Sequence, residues 1–149
     1  MDKLALTVVT PRGYVVPAGF TGKAQDGVPV DEVTATGIAG EFGVLPGHLP
    51  LLTYLRPGPL HFRQGNEQRW VAVRGGIALV GPTAVTILAD AAEYAEEIDV
   101  VRAKNAQEKA ARLLESGGLL EDPNYQKAQA KYARAMVRLA VAEHARKVV

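Results

Sequence analysis

The chain has 149 residues, 48% hydrophobic and 22% charged, with a formal net charge of +1. That length suits one ordinary domain, or a small core with a helical appendage, and the composition is that of a folded globular chain. The near-balanced charge argues against the strong basic field that nucleic-acid binding needs, and the absence of cysteine excludes disulfides, thiolate metal sites and cysteine nucleophiles. The longest uncharged stretches, Phe42 to Leu55 and Gly75 to Ala89, are interrupted by Gly and Pro and fall short of the roughly 20 residues of a membrane span. The opening residues lack the pattern of a secretory signal, so a reducing, cytoplasmic-side location is expected.

From Leu4 to about Ala92, short β-prone runs alternate with Gly and Pro punctuation, which predicts an antiparallel β-sandwich. The expected strands are Leu4 to Thr10, Gly13 to Val16, Pro29 to Ala35, Gly43 to Leu45, Leu51 to Arg56, Gly58 to Gln64, Arg69 to Arg74, Ile77 to Val80 and Ala84 to Leu88. Gln64-Gly65-Asn66-Glu67 offers Gly and Asn for a tight hairpin, and Gly75-Gly76 and Gly81-Pro82 punctuate later connections. Ala18 to Gly27 reads as an extended loop.

After Ala92 the hydrophobic period becomes helical, and Gly and Pro disappear until a break from Ser116-Gly117-Gly118 to Asp122-Pro123. Before the break, Ile98, Val101, Ala106, Ala110, Leu113 and Leu114 are expected on one side of a helix. Beyond it, Tyr125, Ala128, Tyr132, Ala135, Leu139 and Ala142 alternate by three and four, as in a close helix pair. The expected fold is therefore α+β: a sandwich over residues 1–92 followed by an antiparallel α-helical hairpin over 93–149. Alanine buries little area at about 25 cal/mol per Å², so the hairpin should open more easily than a leucine-rich one.

Catalytic chemistry finds little support. His48, His61 and His144 are scattered without metal-ligand spacing, and neither a GxSxG elbow nor a P-loop occurs, so no catalytic or metal-binding residue is assigned. Glu96 and Glu97 are expected at a helix start, where negative charge complements the helix dipole. The most distinctive segment is Gly40 to Leu52, GEFGVLPGHLPLL, whose prolines and glycines interrupt an apolar run. It reads either as a bulged sheet edge or as a stiff docking surface that needs little ordering on contact.

GEFGVLPGH followed by Leu51-Leu52 resembles the signature of the ATP synthase epsilon-subunit family, and the order of sheet then hairpin matches over essentially the whole chain. Ile98-Asp99-Val100-Val101-Arg102-Ala103 is similar to the ATP-binding motif of certain bacterial members. The loop at Ala18 to Gly27 departs from the family in being longer, which leaves the early strand boundaries open. The resemblance implies a non-catalytic rotor subunit on the cytoplasmic face of the bacterial plasma membrane, held to the gamma subunit and the c-subunit ring and transiently touching alpha and beta. It implies a partner surface at Glu41, Gly43, Leu45, Pro46, Gly47, His48 and Leu52. It also implies a regulatory ATP site at Glu93, Ile98, Asp99, Arg102, Ala103, Arg134 and Arg138, with no cofactor required. A ligand-binding sandwich that dimerises through its helices remains the rival of a different class, and a stand-alone nucleotide hydrolase ranks last.

Overall fold

A computed structural model describes residues 2–145. Met1 and residues 146–149, which belong to the ends of the two expected domains, lie outside the described residues.

The strands are β1 (Leu4–Thr10), β2 (Gly13–Tyr14), β3 (Val28–Val30), β4 (Glu32–Gly37), β5 (Gly40–Val44), β6 (Leu51–Leu55), β7 (Gly58–Gln64), β8 (Glu67–Val73), β9 (Gly76–Val80), β10 (Ala84–Ala89) and β11 (Ala92–Tyr94). They form one hydrogen-bonded path in the order β11-β8-β7-β4-β6-β9-β10-β1-β2, with β3 paired to β1 and β5 to β4. All pairings are antiparallel except β1 with β10, which run parallel. Period-two alternation sends Leu4, Leu6 and Val8 of β1 and Val85, Ile87 and Ala89 of β10 into the same interior as Leu60 and Phe62 of β7. Phe62 meets Tyr94 of β11 edge-on, with ring centroids 6.2 Å apart.

The expected single strand from Pro29 to Ala35 is two strands, because the chain changes neighbours at Asp31. Val30 pairs with Leu4 of β1, whereas Glu32 pairs with Arg63 of β7. Asp31 holds the crossing: its amide donates to the Arg63 carbonyl at 2.8 Å, and its carboxylate accepts from Lys3 and from the Gly65 amide. Those two hydrogen bonds hold the Asp31 carboxyl below the usual carboxylate range. At the β7–β8 hairpin only Gly65 takes a positive φ, +61°, while Asn66 does not, the φ pattern of a type II′ turn. The Ala18 to Gly27 loop contains one 3-10 turn at Ala24–Asp26.

Two boundaries near the hairpin differ from expectation. Strand pairing continues through β11, and Glu96 and Glu97 lie on a 3-10 turn, Ala95–Glu97, ahead of the helix start. The helix α1 (Val100–Glu115) is capped by Asp99, whose Oδ1 accepts from the Arg102 amide at 3.0 Å. The second helix, α2 (Pro123–Ala145), opens with proline in its first turn, and Asp122 accepts from the Asn124 amide at 2.9 Å.

The seam expected on α2 is the one observed: Ala128, Ala135 and Ala142 are buried and Tyr125, Tyr132 and Leu139 are partly buried. Of the face expected before the break, Ile98, Ala110 and Leu114 pack, joined by Val100, Ala103 and Gln107, whereas Ala106 is exposed and Val101 and Leu113 are 70% and 51% exposed. Gln107, partly buried at the margin of this face, donates to Met136 Sδ of α2 at 2.8 Å. Counting apolar residues alone passes over such a polar seam residue.

Candidate functional site

Three features sit on this framework: a bare apolar sheet face, a docked hairpin and a basic cleft between them. The first grows out of β6, β9 and β10. Their inward positions, Leu55, Ala78, Val80, Val85 and Ile87, fill the core, yet their outward positions are mostly apolar as well, Thr86 opposite Leu79 being the exception. Pairing aligns Leu52 with Leu79, and Tyr54 with Ile77 and then Leu88, in two cross-strand rows. Leu52, Tyr54, Leu79 and Leu88 are all exposed, and Ile38 is held beside them by its backbone N–H, which donates to the Tyr54 carbonyl at 2.9 Å.

The loop from Leu45 to Pro50 extends this surface. Gly47 turns it with φ +88°, and its amide donates to the Pro82 carbonyl at 2.8 Å, tying the loop to the β9–β10 turn. Leu45 is 56% and Leu49 80% exposed at the tip, while Val44 is anchored in the core. Of the expected partner residues, Leu45, Pro46, Gly47 and His48 therefore gather in the loop, and Leu52 begins the apolar rows. Gly43 is exposed on β5, and Glu41 lies further along that strand, its charge felt by His61. Sequence reading passed over Tyr54, Leu79, Leu88 and Ile38. Their signal was available, since strands apolar on both alternating faces require two coverings.

The hairpin rests on the outer face of β8 and neighbouring β7. Ala72, Ala95, Ile98, Val141 and Ala142 form a second, smaller core there, joined by Trp70, Val100 and Val137. Trp70 stacks on His144 of α2, with ring centroids 3.6 Å apart and planes 7° from parallel, and its other neighbour is His61 at 4.2 Å. Burial holds His61 below its ordinary pKa of 6.5, opposed by the charges of Glu41 and Glu32. Gln68 donates to His61 Nδ1 at 2.9 Å, which suits the neutral ring.

The expected nucleotide residues converge only in part. Glu93 on β11 and Arg138 on α2 are joined by a two-pronged ion pair, Nε to Oε1 and Nη2 to Oε2, the latter at 3.5 Å, and both are about two-thirds shielded. Ile98 and Ala103 are buried at the root of the hairpin, Asp99 is engaged as the cap of α1, and Arg102 is exposed. Arg134, one turn before Arg138, faces a cleft of about 400 Å³ lined also by Glu93, Val137, Asp90, Arg12 and Arg74.

This architecture matches known families along nearly its whole length. Residues 3–95 match the family described as ATP synthase, Delta/Epsilon chain, beta-sandwich domain, and residues 96–143 match the corresponding long alpha-helix domain. The chain belongs to the ATP synthase delta/epsilon family.

Among curated members, the ATP synthase epsilon chain of Syntrophobacter fumaroxidans is 48% identical over 143 residues, covering 95% of this chain and 97% of the relative. That of Anoxybacillus flavithermus is 45% identical, covering 78% and 79%. A chain in the cryo-EM structure of Euglena gracilis mitochondrial ATP synthase shares the fold with a TM-score of 0.64 at 23% identity, covering 99% of this chain and 81% of that one. The epsilon subunit is a non-catalytic part of its complex, so the features above are to be read as surfaces for binding. Among the described residues no helix is long and apolar enough to cross a membrane.

Proposed function

We propose that this subunit is a rotor component of the ATP synthase central stalk, seated between the gamma subunit and the c-subunit ring on the cytoplasmic face of the bacterial plasma membrane. It couples proton-driven rotation to ATP synthesis, and its hairpin regulates ATP hydrolysis. The observation that carries the docking role is the bare apolar face of β6, β9 and β10, continuous with the Leu45 to Pro50 loop. A contiguous exposed face of this kind marks a protein interface, and its hydrogen-bonded, proline-stiffened loop loses little entropy on contact. We assign the face to gamma and the loop, with His48 at its tip, to the polar loops of the ring.

The hairpin is the regulatory part. Docked, it is held by a small alanine-rich core, one stacked tryptophan and one ion pair. It also presents Val101, Leu113, Leu119 and Leu120 to solvent, an apolar surface that can be covered by packing along the shaft. ATP bound at Glu93, Ile98, Asp99, Arg102, Ala103, Arg134 and Arg138 stabilises the docked form by RT ln(1 + [L]/Kd) and so holds the brake off.

Reconstitution tests both parts. Leu79→Asp should leave the isolated chain folded, since its side chain lies outside the core, yet weaken assembly with gamma more than a hundredfold by burying an unpaired charge, roughly 3 kcal/mol or more. Undiminished assembly would remove the docking assignment. Deleting residues 97–149 should raise ATPase activity at low ATP and abolish its dependence on regulatory ATP; unchanged activity would end the brake.

A further inference from the structure

The 400 Å³ cleft joins parts of the chain that sequence does not associate: the β1–β2 turn, the end of β8, the β10–β11 connection and α2. Three arginines line it. Arg12 comes from the β1–β2 turn, Arg74 from just beyond β8 and Arg134 from α2. Among the described residues none of the three guanidinium groups lies within hydrogen-bond or ion-pair distance of a partner. The two carboxylates of the cleft do not cancel them: Glu93 is engaged by Arg138, which leaves Asp90 as the one acid facing three cations.

The two sandwich arginines also stand on rigid supports. The Arg12 amide donates to Thr10 Oγ1 at 3.1 Å, and that hydroxyl donates to the Gly13 carbonyl, which fixes the turn. The Arg74 amide donates to the Ala91 carbonyl at 2.9 Å, and the Asp90 amide to the Gly75 carbonyl at 3.0 Å, locking the end of β8 to the approach to β11. Cations carried on a held backbone around a concave opening, and free of protein partners, suit a multiply charged anion whose oxygens can each accept from a guanidinium fork.

We infer that Arg12 and Arg74 form, with Arg134, a polyphosphate-binding cleft in which the anion bridges the sandwich and the second helix. The inference deepens the nucleotide reading given above: the occupant is the phosphate chain of the nucleotide. On that basis, Arg12 and Arg74 are the contacts that make nucleotide binding hold the hairpin down. Arginines on α2 alone would travel with the helix when it leaves, whereas a phosphate chain clamped from both sides resists that departure. Asp90 offsets one of the three arginine charges, and the positive charge that remains attracts longer, more highly charged chains more strongly than a monophosphate.

The test is calorimetric titration of the full chain with ATP and, separately, with inorganic tripolyphosphate, comparing wild type with R12A, R74A and the double variant. Both arginines are exposed, so the variants should keep the wild-type unfolding curve. Each single variant should weaken both probes about tenfold and the double variant about a hundredfold, one decade per charge-assisted contact. ATP bound equally by wild type and double variant would overturn the role of Arg12 and Arg74 while leaving the nucleotide reading intact. Tripolyphosphate bound by wild type and lost in the double variant, with ATP not bound, would uphold the cleft and overturn the nucleotide reading. Failure of both probes to bind wild type would overturn both.

Discussion

The sandwich and the hairpin bury very different amounts of side chain. The sandwich closes over Leu, Ile, Val, Phe and Tyr contributed by ten of its eleven strands, with Tyr94 deep enough that burial pushes its hydroxyl pKa well up. The hairpin closes over Ala103, Ala110, Ala128 and Ala135, and docks through a five-residue core. Burial scales with apolar area, so the sandwich is the stable body and the hairpin the element that can leave it. A regulator needs this asymmetry, because a ligand can shift only an equilibrium whose two sides differ by a few kcal/mol.

The comparison breaks most readily at Gly76. Its φ is +139°, and a Cβ there would lie 2.0 Å from the Leu88 carbonyl oxygen, a contact with backbone that cannot step aside. Gly76→Ala should cost roughly 3 kcal/mol or more, read as a lowered denaturant midpoint for the whole sandwich. A small loss would mean the sheet is as yielding as the hairpin.

A smaller and more local effect is expected at the ion pair. Removing Arg138 strands the shielded Glu93 carboxylate, so Arg138→Ala should cost about 1–3 kcal/mol of hairpin docking. Hydrogen exchange should quicken in α1 and α2 and stay unchanged in β1, β7 and β10. Equal acceleration in the strands would show the two regions to be one cooperative unit.

The smallest effect is a pH dependence. His61 in the folded chain has its pKa below 6.5, so the open chain takes up the proton first. Stability from the neutral ring is therefore complete above pH 6.5 and lost as pH falls through the depressed value. Protonation also ends the acceptance from Gln68. Emission from Trp70, the single tryptophan, should shift on acidification as its stack with His144 loosens, and His61→Gln should flatten that response.

Much of this was legible from residue order. The strand runs, the turn at Gly65 and the α2 seam follow from local period and glycine chemistry, and the Gly40 to Leu52 segment stood out because prolines and glycines interrupt an apolar run. What escaped notice has a common cause. Asp31 divides a strand because its two sides pair with different neighbours, and Gln107 joins the packed face of α1 because it meets Met136 of α2. Arg12 and Arg74 are 62 positions apart and carry no local signal of a shared cleft.

By itself, then, the sequence determined the sheet-then-hairpin order, the alanine seam of α2 and the family, because periodicity, turn chemistry and motif are properties of neighbouring residues. Only the tertiary structure decided which outward strand positions stay bare, which face of α1 turns inward, and that arginines from a turn, a strand end and a helix meet around one cleft. These depend on long-range pairing, which no local pattern of residues specifies.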